Sequence, residues 1–136
     1  MIARRVKFVV WEQYERFTTD ARIALADTAT KVIRVHDEIG FREALRRSRN
    51  GVVILERVAV GERLPDMIAA ADLSEFRIIV VGMASADELR RDRDLGAHLL
   101  IVEPVDRVTW SGTLKRLAAV SRDERMTANA AGRHRR

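Results

Sequence analysis

Three glutamates stand where an apolar run stops. Glu56 closes Gly51-Val52-Val53-Ile54-Leu55, Glu12 follows Val6–Trp11, and Glu103 follows Leu99–Val102, with Pro104 behind it. A run that is apolar on both faces suits a strand covered by helices on both sides. The residue that ends it then sits at the carboxyl edge of the sheet, where open α/β folds keep their chemistry. Carboxylates gathered at one edge repel each other. Relief comes from an arginine reaching in (Arg57 and Arg63 are nearby candidates), from a divalent cation on oxygen ligands, or from plain hydration.

Other chemistries find little support. There is no cysteine, so disulfides and thiolate nucleophiles are excluded. His36, His98 and His134 are scattered, with no partner at metal-ligand spacing. Ser111 and Ser121 have no recognisable base, and no Gly-rich phosphate loop or nucleophile elbow is present.

The elements that position these residues follow from periodicity. Five apolar runs recur: Val6–Trp11, Lys31–Val35, Gly51–Leu55, Phe76–Val81 and Leu99–Val102. The second alternates and reads as a half-exposed edge strand. The segments between them carry helical stripes. Tyr14, Phe17, Ala21, Ala24 and Leu25 form the first, and Phe41, Ala44 and Leu45 the second, preceded by Gly40. Pro65 opens the third helix, with Met67, Ile68 and Ala71 inward. Ser85 and Glu88 form a capping box for the fourth, which Gly96 ends. Asp106 caps the fifth, whose apolar side is Trp110, Leu114, Leu117 and Ala118. Strand and helix alternating five times imply a doubly wound parallel sheet in three α/β/α layers. The expected order is the flavodoxin-like 2-1-3-4-5, with the third run in the centre.

Composition bounds the rest. The 136 residues are 47% hydrophobic and 33% charged, which suits one domain over residues 1–120. No run approaches the roughly 20 apolar residues that span a membrane, and the start is too short for a signal-peptide core. A cytoplasmic location is expected. The net charge is +5, of which residues 121–136 hold five arginines against Asp123 and Glu124. That basic stretch lacks core-forming residues and reads as a disordered tail. It has no aromatic residue for stacking, so any nucleic-acid contact through it would be weak and non-specific.

The stretch Gly96-Ala97-His98-Leu99-Leu100-Ile101-Val102-Glu103-Pro104 resembles the fifth strand of bacterial response-regulator receiver domains, which commonly reads Gly-Ala-Asp-x-Tyr-Leu-x-Lys-Pro. With the five-fold alternation, the resemblance spans about residues 5–120. It implies a phosphoacceptor aspartate ending the third strand, an acidic pair holding Mg²⁺ after the first, a switching Thr or Ser after the fourth, and a lysine before the fifth-strand proline. Those positions fall on Glu56, on Trp11 and Glu12, on Gly82, and on Glu103 ahead of Pro104. Glu56 sets its carboxylate one methylene too far out. Glu103 reverses the charge that would offset the transition state.

The resemblance therefore implies a degenerate, stand-alone receiver. It would act through a protein partner in trans, without phosphorylation, catalysis or cofactor. A homodimer would use the face of the fourth helix, fifth strand and fifth helix, which offers Arg90, Arg91, Asp92, Arg93, Asp94, His98 and the start of the fifth helix near Trp110. The alternatives are a metal-binding regulator using Glu12, Glu56 and Glu103, or a nucleic-acid-associated one using the arginine-rich tail.

Overall fold

A computed structural model describes residues 6–47, 51–103 and 105–131, with side chains to residue 119. Five parallel strands, β1 (Val6–Trp11), β2 (Thr30–Val35), β3 (Val52–Glu56), β4 (Arg77–Val81) and β5 (Leu99–Ile101), form one sheet in the order 2-1-3-4-5. Between them lie α1 (Phe17–Ala24), α2 (Glu38–Arg46), α3 (Arg57–Val60), α4 (Leu64–Leu73) and α5 (Ala86–Leu95), and α6 (Arg107–Ala131) follows β5. This is the expected doubly wound α/β fold.

The sheet divides the core in two, because alternate residues of a strand point to opposite faces. On one face Val9, Trp11, Val53, Leu55 and Val80 meet Phe41, Leu45, Leu64 and Ile68 from α2 and α4. On the other, Phe8, Val10, Ile54 and Ile79 meet Phe17 from α1, Leu25 just after it, and Trp110 and Leu114 from α6. Every residue of β3 is buried, and β1 and β4 flank it in register, with Val10 opposite Ile54 and Ile54 opposite Ile79. Each fully buried aliphatic side chain is worth about 1.5–3 kcal/mol. Ile54→Ala would cost about 2–5 kcal/mol, since the close-packed centre cannot collapse around the hole. The β2 edge is only half-buried, as its alternation implies.

Three features depart from the sequence reading. Tyr14 is not on the first helical stripe: α1 begins at Phe17, and Tyr14 stands in the preceding turn, 74% exposed. The segment after β3 carries the short α3 and a 3-10 turn, Gly61–Arg63, before α4 opens at Leu64 with Pro65 in its first turn. The backbone of α6 stays helical through Ala131, past the fading of the apolar pattern at Ser121. Arg, Glu, Met and Ala favour helix without any core to pack on. Residues 132–136 of the basic stretch lie outside the described residues. No helix among those described is long and apolar enough to cross a membrane.

Candidate functional site

The carboxyl ends of β1, β3 and β5 bring Glu12, Glu56 and Glu103 to one edge, but the three do not form an open carboxylate cluster. Glu12 is turned inward. Its Oε1 accepts the N–H groups of Arg16 (3.0 Å) and Phe17 (2.8 Å). Its Oε2 accepts the N–H of Thr18 (2.9 Å) and the Thr18 hydroxyl (2.5 Å). Those amides are the orphan donors at the start of α1. Glu12 thus caps the helix from four residues upstream, and the turn it holds keeps Tyr14 out of the helix. Arg34 Nε lies 3.6 Å from Oε2 and offsets the buried charge.

Glu56 and Glu103 share one cation. Arg16 Nη2 donates to Glu56 Oε2 at 3.1 Å and to Glu103 Oε1. The other oxygen of Glu56 accepts the N–H of Gln13 at 2.7 Å. The guanidinium also lies 4.2 Å over the Phe17 ring. Desolvation opposes the charge on Arg16, but its hydrogen bonds to Glu103 and Glu56 outweigh that and hold it above the usual arginine value. The arginine expected at this edge is therefore Arg16, neither Arg57 nor Arg63. Arg63 is committed to Glu38 (3.0 Å) and Asp66 (2.7 Å). Arg57 turns the other way, to Asp92, with Glu88 at 3.8 Å.

No family model matches the chain, and no curated protein is significantly similar to it. Solved structures do match. A response regulator from Thermotoga maritima superposes with a TM-score of 0.70 at 18% identity, covering 85% of this chain and 99% of that one. The beryllofluoride-activated NtrC4 receiver domain dimer gives 0.69 at 14%, covering 85% and 98%. A Burkholderia thailandensis chain named as a pilus assembly protein, cpaE, gives 0.62 at 17%, covering 85% and 99%. The chain has the receiver fold.

Within that receiver fold, the residues at the active edge do not fit the Mg²⁺ that the resemblance implies. Trp11 is buried against Phe41, ring centroids 5.5 Å apart, and offers no oxygen. Both oxygens of Glu12 are spent on α1, and a guanidinium lies between the other two carboxylates. Among the described residues no group of three His, Asp or Glu side chains is placed to hold a metal ion. Gly82 ends β4 with φ +143, and a Cβ there would come 3.0 Å from Cβ of Arg57. The stem of Arg57 fills the space that a side chain at 82 would need. Pro104 lies outside the described residues.

The face of α5, β5 and the start of α6 keeps Arg90, Arg93 and His98 exposed. Trp110 does not belong to it. Only 2% of it is exposed, and it packs edge-on to Phe17 at 5.7 Å. The apolar stripe of α6 turns this tryptophan to the sheet, so it is core.

Sequence reasoning misses Arg16 and misplaces Asp92, which it sets on the charged face beside Arg90 and Arg93 and which the structure buries completely. Arg16 shows itself only once three strand ends are assembled. Asp92 left a local trace: Leu89, Asp92 and Leu95 recur at three-residue steps, which puts a carboxylate on the inward stripe of α5.

Proposed function

We propose that this chain is a receiver-fold signalling module that acts by protein–protein contact and takes no phosphoryl group at Glu56. The observation that carries this reading is the Arg16 bridge. The carboxylate at the phosphoacceptor position is already hydrogen-bonded through both oxygens, to Arg16 and to the Gln13 amide. A nucleophile so engaged, with Glu103 beside it, has no cation left to offset charge on an incoming phosphoryl group. Nor does Glu56 present the free carboxylate that would imitate phosphorylation, since it is ion-paired with Arg16. The readout is a partner in trans, and the exposed Arg90, Arg93 and His98 of the α5–β5–α6 face are its contact residues. A second copy of the chain is one occupant of that face.

Incubation with acetyl phosphate and Mg²⁺, followed by intact-mass measurement, tests the central claim. The expected spectrum shows the unmodified chain. A stoichiometric gain of one phosphoryl group on Glu56 would overturn it. Sedimentation of the wild type against Arg93→Glu tests the second-copy contact, which fails if both sediment alike as monomers.

A further inference from the structure

The most polar helix of the domain is held by a charge. α1, α2, α4 and α6 each bury apolar side chains: Phe17 and Ala21, Phe41 and Leu45, Met67 and Ile68, Trp110 and Leu114. The only buried residue of α5 is Asp92, fully enclosed, while Leu89 and Leu95 are half-buried. Its Oδ2 accepts from Arg57 Nη2, whereas Oδ1 has no hydrogen-bond partner, and neither has Arg57 Nε. Arg57 starts at the end of β3, passes over Gly82 at the end of β4, and reaches α5 from the sheet edge. The helix is flanked by Gly82 and Gly96, both at positive φ (+143 and +123). Glycine adopts such angles without strain and also leaves them readily.

We infer that the Arg57–Asp92 pair is a latch and that α5 is a releasable helix, able to leave the sheet while the α/β core stays folded. A helix with so little apolar face gains little from docking on its own. A buried carboxylate without its cation is strongly disfavoured, so Asp92 is either enclosed with Arg57 or hydrated and out. The docked state is therefore close to all-or-none, which a helix seated on a graded apolar contact would not be. Because α5 carries Arg90 and Arg93, release of the latch would take the exposed arginines away from β5. The inference rests on burial and contact within α5 and stands apart from the phosphorylation reading above.

Amide hydrogen exchange on the full chain tests it. In the wild type, α5 amides should exchange through an opening with a clearly smaller urea dependence than that of β1, β3 and α4, which follow global unfolding. Asp92→Asn keeps the shape and removes the charge. It should speed exchange over residues 86–95 by about a hundredfold, the lower end of what removing one partner of a buried pair brings, with β1 and β3 little changed. Arg57→Met with Asp92→Leu should restore protection, since apolar groups of similar volume replace a buried pair well. Exchange that rises evenly over all elements in Asp92→Asn would overturn the latch. So would unchanged protection of α5, or a double variant as open as the single one. If Asp92→Asn does not fold, the wild-type urea series decides: α5 amides that track global unfolding refute the inference.

Discussion

Removing the Glu12 carboxylate tests whether this edge is a ligand site or a piece of helix architecture. Four donors converge on a side chain with no solvent exposure: the amides of Arg16, Phe17 and Thr18 and the Thr18 hydroxyl. Loss of a helix N-cap costs about 0.5–2 kcal/mol. The Thr18 hydroxyl is itself buried, and leaving it without a partner adds about 1–3 kcal/mol. Water recovers part of this at the Arg16 amide, which is only part-buried. Arg34 Nη2 keeps the Gln13 carbonyl at 3.2 Å, while its buried Nε loses the carboxylate beside it when Glu12 goes. Glu12→Ala should therefore destabilise the fold by about 3 kcal/mol, and Thr18→Val alone by about 1 kcal/mol. Urea denaturation followed by circular dichroism gives both, and the double variant should cost less than their sum, because the two share a bond. Glu12→Gln should fall near half the alanine value, since the amide retains one acceptor. A loss below about 1 kcal/mol for Glu12→Ala would refute the cap. A wild-type melting temperature raised by Mg²⁺, with the rise abolished in Glu12→Ala, would refute it too.

Three further predictions follow from the same geometry. Arg16→Met should cost about 1 kcal/mol, since the half-exposed guanidinium is solvent-screened and only the Glu56 carboxylate is buried; adding Glu56→Gln should recover most of it, and strict additivity in urea midpoints would refute the bridge. Trp110→Ala should cost about 3–5 kcal/mol as a core cavity, whereas Trp110→Phe should cost about 1 kcal/mol because its indole N–H has no partner to lose; sedimentation of the phenylalanine variant should match the wild type, and altered self-association would return Trp110 to the surface. Hydrogen bonds from Arg63 and then Arg42 hold Glu38 below its usual value of 4.5, at about 2. A depressed carboxyl stabilises the fold above its unfolded value, so the stability advantage of wild type over Glu38→Gln should shrink as pH falls from 4.5 towards about 2; an advantage independent of pH across that window would refute the pairing.

The strands were legible because burial on both faces leaves an uninterrupted apolar run, and β2 because exposure on one side leaves alternation. Ser85 with Glu88 and Asp106 with Thr109 were legible or nearly so because a cap reaches only three residues along the chain. Glu12 works by the same physics, but it acts across an irregular turn, where no periodicity marks the start of α1. Arg16 was hidden for a different reason. Its partners lie on β3 and after β5, so its role depends on where the sheet brings three strand ends together. From sequence alone Trp110 fits both the apolar stripe of α6 and the neighbouring surface. The stripe it shares with Leu114 and Ala118 decides for core, because a helix cannot turn the same side chain both ways.

The charges at this edge make more sense as a set than as separate losses. Gly82 without a side chain leaves room for Arg57 to cross β4. Arg57, once across, is spent on Asp92 and gives nothing to Glu56. Arg16 then serves both Glu56 and Glu103, and with an acid at 103 it has two carboxylates to hold. A lysine at 103 would compete with Arg16 for Glu56, and a hydroxyl side chain at 82 would press on the stem of Arg57. Placing a lysine at 103 or a hydroxyl side chain at 82, one at a time, should therefore destabilise this edge. A phosphoryl group arriving at Glu56 would first have to break the hydrogen bond to Gln13 or the bridge to Arg16, and would then face Glu103 with its cation removed.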